Sequence, residues 1–393
     1  MDLNYSPEEL AFRDQVRGWL KANLPEDLRR KNADGGHLGK EDLLRWHKIL
    51  AKQGWVAPAW PKEWGGPDWN ATQRYIFEEE CGLAGTPQIV AFGVVMCAQV
   101  LLKFGSEAQK KQHLPGIYNG DVFWVQGYSE PGSGSDLASL KTSADRKGDK
   151  YVVNGQKIWT SLGQYGDWIF CLVRTNFDTK IRQEGISFLL IDMKTPGITV
   201  RPLILMDGGH EVNEVFFDNV EVPAENLIHD ENKGWTVAKY LLGHERMGSG
   251  NVGASKRELQ TLRELASKEI KNGKPLLQDA RFRDRLTRVE VEIQALELTS
   301  LRFLDKMRRT GQPPGADVSM LKLKGSELQQ AITELMMQAL GPDAQPFVGV
   351  EDGHVDEYRA RMAPRYFNYR KTSIYAGSNE IQRNIIAKMT LGL

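Results

Sequence analysis

The spacing of apolar residues changes twice along the chain, and these changes constrain the fold more than any other feature. Up to about residue 120, apolar side chains recur every three to four positions, as at Val16 and Leu20, which is typical of amphipathic helices. Between about residues 121 and 230, short β-branched and aromatic runs alternate with Gly, Pro, Asp and Asn. After Gly234 the helical spacing returns. The sequence therefore predicts a helical domain (1–120), a small, mostly antiparallel β domain (121–230) and a helical C-terminal domain (231–393).

Local signals divide these domains into elements. Ser6-Pro7-Glu8-Glu9 combines a capping hydroxyl with proline and acidic residues, and so predicts the start of the first helix. Further helices are predicted over about 41–53, 72–83, 90–104 and 107–119, with a flexible loop at 31–40. In the C-terminal domain, breaks at 272–275, 311–315 and 341–346 separate the long helices of a four-helix bundle. Its predicted apolar faces consist of Val289, Ile293, Leu296, Phe303 and Met307 on one helix and Leu321, Leu328, Ile332, Leu335 and Ala339 on another.

Composition and charge exclude several classes of function. The 393 residues contain 51 basic and 51 acidic side chains, so the formal net charge is zero, and no basic run is interleaved with aromatic residues. We therefore expect neither nucleic-acid binding nor attraction to an anionic membrane. Cys81, Cys97 and Cys171 are widely spaced, which is typical of reduced thiols rather than of disulfides or zinc sites. The apolar runs are too short for a membrane span and the N-terminal residues lack a secretory signal, so the expected location is the cytoplasm.

Two stretches in the β domain combine Gly, Ser and Trp in a pattern suited to a cofactor. The first is Tyr128-Ser129-Glu130-Pro131-Gly132-Ser133-Gly134-Ser135-Asp136, and the second is Trp159-Thr160-Ser161. The strand-like run between them contains Asn154-Gly155, a dipeptide that favours a type I′ hairpin turn. We expect that turn to carry the second stretch back toward the first. The resulting row of hydroxyls, backbone N–H groups and one indole suits a flat, polar-edged, anionic cofactor better than a metal.

Together with a third stretch near the C-terminus, these motifs resemble the acyl-CoA dehydrogenase family. The third stretch is Ile374-Tyr375-Ala376-Gly377-Ser378-Asn379-Glu380-Ile381-Gln382-Arg383, and the second is preceded by Gly148-Asp149-Lys150-Tyr151 and by Asn154-Gly155-Gln156-Lys157-Ile158. The resemblance covers nearly the whole chain. It implies an N-terminal helical domain, a central small antiparallel β-barrel and a C-terminal four-helix bundle. It also implies bound FAD, an acyl-CoA substrate that undergoes α,β-dehydrogenation to the trans-2-enoyl-CoA, and an electron-transfer flavoprotein as acceptor.

The resemblance assigns roles to individual residues of the three motifs. Ser129 would contact the pyrimidine side of the flavin, Ser161 would donate toward its N5 atom, and Trp159 would stack near the dimethylbenzene ring. Ser135 would lie beside the CoA arm of the substrate, whereas the C-terminal motif would reach the adenosine and pyrophosphate side of the cofactor. The implied cofactor-binding residues are Tyr128, Ser129, Ser135, Trp159, Thr160, Ser161, Ser378 and Glu380.

The residue that would begin the reaction is not at the usual position of the family. Most members carry a glutamate directly after the tyrosine of the C-terminal motif, but this chain has Ala376 there. Members that resemble isovaleryl- and long-chain acyl-CoA dehydrogenases carry the base on the first long bundle helix, where this chain has Gly243-His244-Glu245-Arg246. The resemblance thus implies Glu245 as the α-proton base, with Arg246 in the substrate site and ordering the base helix. It implies the backbone N–H of Ala376 as a donor to the thioester oxygen, and His244 fits a structural or pocket-lining role.

Two departures from the family pattern suggest a second kind of chain in the assembly. Homotetrameric relatives place an arginine where this chain has Lys271, which cannot form the same bidentate contact with a pyrophosphate. They also place a glycine pair where this chain has Gly341-Pro342, and proline has no N–H to offer. Both losses lie in the half-site that one subunit lends to its neighbour. The pattern resembles the large, catalytic subunit of heteromeric enzymes, such as pimeloyl-CoA or steroid side-chain acyl-CoA dehydrogenases, and implies a dimer of dimers with a homologous smaller subunit.

Several alternatives stay open at this stage. A homo-oligomer would tolerate weaker contacts between subunits, and a non-catalytic flavin-binding partner subunit would need no carboxylate at Ala376. Members diverged to flavin monooxygenase, nitroalkane oxidase or desulfinase chemistry are disfavoured by the carboxylate of Glu245. The acyl chain is not identified by the sequence, although Gly243, Gly248, Gly250 and Gly253 indicate a roomy lining near the base.

Overall fold

The computed structural model describes residues 3–33, 35–244, 250–312, 314–344 and 361–393. Its elements follow the predicted order of helices, strands and helices. The N-terminal helices are α1 (Pro7–Asn23), α2 (Glu26–Ala33), α3 (Lys40–Gln53), α4 (Ala71–Ala84), α5 (Ala98–Phe104) and α6 (Glu107–Asn119). The strands of the β domain are β1 (Trp124–Gly127), β2 (Ser143–Lys147), β3 (Lys150–Ser161), β4 (Trp168–Arg174), β5 (Ile186–Asp192), β6 (Ile198–Ile204), β7 (His210–Pro223) and β8 (Leu227–Ile228). The C-terminal part consists of α7 (Gly234–His244), α8 (Val252–Lys268), β9 (Ile270–Lys271), β10 (Lys274–Pro275), α9 (Ala280–Thr310), α10 (Ser319–Leu340), α11 (Met362–Tyr369) and α12 (Asn379–Ile386).

The N-terminal helices pack around a cluster of aromatic rings. The capping box predicted for α1 forms, because Ser6 accepts from the backbone of Glu9 while the Glu9 carboxylate accepts from the backbone of Ser6. The core is built from Trp19, Trp46, Trp55, Trp69 and Phe77, with the rings of Trp19 and Trp55 4.8 Å apart. The loop predicted at 31–40 is wrong at its start, since residues 31–33 form the last turn of α2, which buries Leu28. The helix predicted at 90–104 contains a π-helical turn over Phe92–Cys97 before α5.

The β domain is a single eight-stranded sheet that is mostly antiparallel, as predicted. The pairing order is β6-β7-β3-β2-β4-β5-β8, and β1 pairs with β4 in parallel. Among the described strands this path has two open ends, so the barrel implied by the family resemblance is not closed. Long strands β3 and β7 pair along most of their length and form the spine of the domain.

The hairpin predicted at Asn154-Gly155 is wrong, because β3 continues through this dipeptide. Gly155 has a φ of 147° and forms a bulge, at which the pairing of β3 with β7 shifts between Val153 and Gly155. The actual hairpin joins β2 to β3 and turns at Gly148, which has a φ of 66°. Gly155 therefore has the expected positive φ, but this φ belongs to a bulge and not to a turn. The bulge packs against Thr142.

The C-terminal helices form a second apolar core. The predicted faces of α9 and α10 are buried at nine of the ten named positions, and Met307 is half-buried. The predicted breaks coincide with the β9–β10 hairpin, with Gly311 ending α9, and with Gly341 ending α10. Gly311 ends α9 in the left-handed conformation, which is how many helices end.

All three cysteines are free thiols, as expected, and none lies on the open surface. Cys97 and Cys171 are buried and Cys81 is half-buried. Burial raises the pKa of all three, that of Cys171 to about 11. In the described part of the chain, no helix is long and apolar enough to cross a membrane.

Candidate functional site

The serine- and glycine-rich loop after β1 is closed into a tight turn. The backbones of Glu130 and Ser133 exchange two hydrogen bonds of 2.9 Å across Pro131-Gly132. The hydroxyl of Ser133 donates to the carbonyl of Asp136 at 2.9 Å, so it supports the loop from within. Ser135 is exposed at the outer side of this loop, whereas Tyr128 is buried at its start and Ser129 is half-buried. The loop therefore presents backbone groups and hydroxyls on one side and is anchored on the other.

A buried ion pair that the sequence reasoning missed anchors this loop to β3. The Nζ atom of Lys157 donates to Glu130 Oε1 at 2.8 Å and to the carbonyl of Tyr128 at 3.1 Å. Glu130 also accepts from the backbone N–H groups of Lys141 and Thr142, at 2.6 and 2.9 Å. Burial works to raise the pKa of Glu130, but the Lys157 charge and these hydrogen bonds outweigh it and hold that pKa below its usual value. Because both charged groups have further hydrogen-bond partners, the Glu130–Lys157 pair fixes the position of the loop against β3.

The end of β3 brings Trp159, Thr160 and Ser161 to the same loop. The backbone N–H of Ile158 donates to the carbonyl of Ser129 at 2.9 Å. Trp159 has a φ of 61° and its side chain is 55 % exposed, so the backbone turns the indole out of the sheet. A left-handed conformation of a non-glycine residue costs roughly 1 to 3 kcal/mol and is often kept for function. The predicted proximity of the two motifs is thus present, although a bulge at Lys157/Thr160 produces it rather than a hairpin.

One polar atom in this segment is buried without any partner. The Oγ1 atom of Thr160 makes no hydrogen bond within the part of the chain that the structure describes, although Thr160 is only 1 % exposed. A buried hydroxyl without a partner costs free energy, so such an atom calls for an occupant of the site that can pair with it. Hydroxyls, backbone groups and an exposed indole fit the polar edge and flat ring of a flavin. No group of three or more metal-binding side chains occurs among the described residues.

The C-terminal motif forms a left-handed turn followed by a capped helix. Ala376 has a φ of 53° and Gly377 a φ of 80°. Ser378 caps α12 by accepting from the backbone of Ile381 at 3.4 Å. The N–H of Glu380 and the Ser378 hydroxyl hold the pKa of the exposed Glu380 carboxyl below its usual value. The turn leaves the N–H of Ala376 without a hydrogen bond to any described residue.

A second buried cation, also missed from the sequence, lies beneath this motif. Lys322 on α10 is 6 % exposed and donates to Asn379 Oδ1 at 3.0 Å, and Ser326 donates to the same oxygen at 3.1 Å. Burial lowers the pKa of Lys322 to about 8, although the nearby charge of Glu380 opposes this shift. The lysine thus fixes the first residue of α12. A lysine inside a helix with a predicted apolar face is the sequence signal that could have revealed this buried cation.

No contact among the described residues connects the remaining predicted residues to the motifs above. Glu245 and Arg246 lie outside the described residues, between the end of α7 and the start of α8. Lys271 lies in the β9–β10 hairpin, next to the 64 % exposed Ile270. Pro342 lies in the short helical turn Gly341–Ala344 that follows α10. Both departures from the family pattern are therefore at ends of bundle helices.

Comparisons with known proteins agree with these motifs. Family models described as the N-terminal, middle and C-terminal domains of acyl-CoA dehydrogenase match residues 6–121, 126–220 and 232–391. The chain is 38% identical over 390 residues to acyl-CoA dehydrogenase IpdE1 of Mycobacterium tuberculosis, covering 97% of both proteins. Among solved structures, the ChsE4-ChsE5 complex from Mycobacterium tuberculosis matches with a TM-score of 0.83 and 31% identity, covering 100% of this chain and 99% of that one. The Tcur3481-Tcur3483 steroid ACAD matches with a TM-score of 0.84 and 27% identity, over the same shares.

Proposed function

Because the chain belongs to the acyl-CoA dehydrogenase family, we propose that it oxidises an acyl-CoA thioester to the trans-2-enoyl-CoA with Glu245 as its base. The chain is a flavoprotein oxidoreductase and its cofactor is FAD. When bound, FAD supplies the acceptor for the hydride that leaves the β-carbon. The carboxylate of Glu245 takes the α-proton, so that two hydrogens leave the substrate and one C=C bond forms.

The observation that most directly supports this proposal is the turn at Ala376. A left-handed alanine is strained, and here it presents a backbone N–H without a partner among the described residues. Such a donor can stabilise the negative charge that develops on a thioester oxygen as the α-proton leaves. The side chain at this position is not needed for that contact. A chain with alanine here therefore keeps the donor and needs its base from elsewhere, for which Glu245 is the candidate.

The other motif residues hold and orient in this proposal. Ser129, Thr160 and Ser161 bind the polar edge of the flavin, and Trp159 covers its ring. The unpartnered Thr160 hydroxyl supports this role, because a bound group would satisfy it. Ser135, at the exposed side of the loop, lies beside the CoA arm together with Arg246 from the base segment. Tyr128, Ser378 and Glu380 complete the cofactor site, and the reduced flavin passes its electrons to an electron-transfer flavoprotein.

Replacing Glu245 by Gln tests the assignment of the base. Glu245→Gln should retain bound flavin but lower the rate of flavin reduction by acyl-CoA by about 10²- to 10⁴-fold, the usual contribution of a general base. Anaerobic stopped-flow absorbance of the flavin band measures this rate. Glu264→Gln on α8 is the matched control, because it removes an exposed carboxylate that accepts a hydrogen bond from Gln260 Nε2. Reduction of the Glu245→Gln variant at the wild-type rate would remove Glu245 from its role, and a wild type that acyl-CoA does not reduce would favour a non-catalytic subunit.

We further infer that the substrate carries a bulky acyl group and that the enzyme is a heteromer. The similar structures include the ChsE4-ChsE5 complex and the Tcur3481-Tcur3483 steroid ACAD, which each combine two differently named chains. The substitutions Lys271 and Pro342 weaken the half-site that this chain would lend to an identical neighbour. Flavin reduction by straight, branched, dicarboxylyl and steroid-derived CoA esters, compared at equal concentration, tests the substrate class. Equal rates with straight and steroid-derived esters would argue against a bulky substrate.

A further inference from the structure

The first residues of β7 contact the segment that carries the exposed indole. The backbone N–H of Leu162, which has a φ of 57°, donates to the carbonyl of Glu211 at 2.7 Å. The side chain of Asn213 is fully buried and donates to the carbonyl of Thr160 at 3.1 Å and to Gln164 Oε1 at 2.7 Å. These bonds tie the segment 159–162, in which Trp159 and Leu162 are left-handed, to the start of β7.

The same stretch of β7 contacts the segment that leads to Ala376. The carboxylate of Glu211 forms an ion pair with the ammonium of Lys371, and it accepts from Asn368 Nδ2 at 3.2 Å. Asn368 also donates to Asp207 Oδ2 at 2.5 Å, in the turn between β6 and β7. The carbonyl of Lys371 in turn accepts from the backbones of Ile374 and Tyr375, at 2.8 and 3.1 Å. Lys371 is therefore the first residue of the turn that directly precedes left-handed Ala376.

We propose that Glu211 is a positioning residue that fixes the segment 371–376 to the segment 159–162. Its backbone carbonyl holds one segment and its carboxylate holds the other, so a single residue sets the distance between the indole and the Ala376 N–H. This inference rests on the proposed function, in which the flavin lies against residues 159–161 and the thioester oxygen meets Ala376. In that arrangement a displacement of about 1 Å between reacting groups can lower the rate by 10²-fold.

Two single variants and a charge exchange test the proposal. Glu211→Gln and Lys371→Met should each fold and bind FAD, but reduce flavin with acyl-CoA about 10- to 100-fold more slowly than wild type. The loss should fall on the limiting reduction rate rather than on the substrate concentration for half-maximal rate, since neither side chain is placed at the CoA arm. The double variant Glu211→Lys/Lys371→Glu, which restores an ion pair of opposite sense, should regain much of the rate. Glu221→Gln is the matched control, because Glu221 lies on the same strand and pairs with Lys150 at 2.6 Å, away from both segments.

The release rate of FAD separates this inference from the proposed reaction. Release is followed by the rise in flavin fluorescence on dilution and requires no substrate. Both single variants should release FAD faster than wild type and than Glu221→Gln, whether or not acyl-CoA reduces the protein. Wild-type release together with wild-type reduction in Glu211→Gln and Lys371→Met would overturn the proposal, as would an exchange variant that loses as much as the two single variants combined. A Glu211→Gln variant that fails to fold leaves Lys371→Met and its release rate to decide.

Discussion

The imidazole of His113 packs edge-on against two indoles that stack on each other. Its ring centroid is 5.2 Å from that of Trp124 and 4.8 Å from that of Trp168, and His113 Nε2 has no hydrogen-bond partner among the described residues. Burial lowers the pKa of His113 to about 4, so its ring is neutral in the folded protein at neutral pH. The packing of α6 against the β domain therefore depends on an uncharged histidine.

Mild acid should destabilise the protein through this residue. The unfolded chain takes up the proton near the ordinary histidine pKa of 6.5, whereas the folded chain excludes it down to about 4, so stability is lost as the pH falls through that window. Between pH 7 and pH 5 the loss due to His113 should be about 2 kcal/mol. His113→Phe keeps a ring against the two indoles and should lack this part of the loss, as measured by urea unfolding at both pH values. An equal loss in variant and wild type would contradict the assignment.

At the scale of single residues, the sequence revealed the residues proposed to face the cofactor better than the residues that hold them in place. Ser129, Trp159 and Ala376 stand in recognisable motifs. Glu130 and Lys157 are ordinary charged residues until β3 passes beneath the loop and removes both from water. Asn213 likewise acquires its partners only when β7 pairs with the end of β3, and Glu211 only when α11 packs against the β6–β7 turn. Such residues could not be predicted, because their burial depends on contacts between segments far apart in the chain.

At the scale of elements, β3 is the strand on which the site depends. It contains two bulges, one at Gly155 and one before Thr160, and the second turns the indole outward. The strand and the positive φ of its glycine were predicted correctly, but a turn and a bulge can both place a glycine at positive φ. Gly155 forms a bulge and not a turn because β7 pairs with residues on both sides of it.

Filling the bulge should destabilise the β domain. A Cβ atom on Gly155 would lie 2.6 Å from Thr142 Oγ1 and 2.7 Å from Thr142 Cα, and its φ of 147° disfavours a side chain. Gly155→Ala should therefore cost about 1 to 3 kcal/mol of unfolding free energy. Gly18→Ala in α1, where nothing lies within 4 Å of the added atom, is the control and should raise stability by up to about 1 kcal/mol. Urea unfolding measures both changes, and a neutral Gly155→Ala would show that Thr142 can move away.

At the scale of the whole molecule, several features of the site reach the open surface of this chain. The indole of Trp159, Ile374 and Tyr375 are 55 %, 69 % and 51 % exposed, and Ile270 beside Lys271 is 64 % exposed. Large apolar groups in such positions are commonly covered by a cofactor or another subunit. The order of domains and the cofactor were predictable from the sequence because they rest on long patterns and whole motifs. The assembly of chains, in contrast, depends on only a few surface positions.

The proposed heteromer leads to a prediction about flavin content. Expressed alone, the chain should purify with less than a full complement of FAD, because it would lack the half-site that the proposed partner supplies. Co-expression with a homologous smaller subunit should restore FAD and acyl-CoA-dependent flavin reduction together. The ratio of flavin to protein absorbance, with the mass of the assembly from light scattering, measures this. Full FAD occupancy and activity in the chain alone would establish that identical subunits suffice.

The state of the three thiols has a practical consequence for observing this enzyme at work. With Cys97 and Cys171 buried and the pKa of all three thiols raised, the native chain offers little thiolate to maleimide dyes. A single cysteine introduced at an exposed position could therefore carry a fluorophore without removal of the native ones. Energy transfer between this label and a dye on a second subunit would then report assembly in real time, with the three native cysteines left in place.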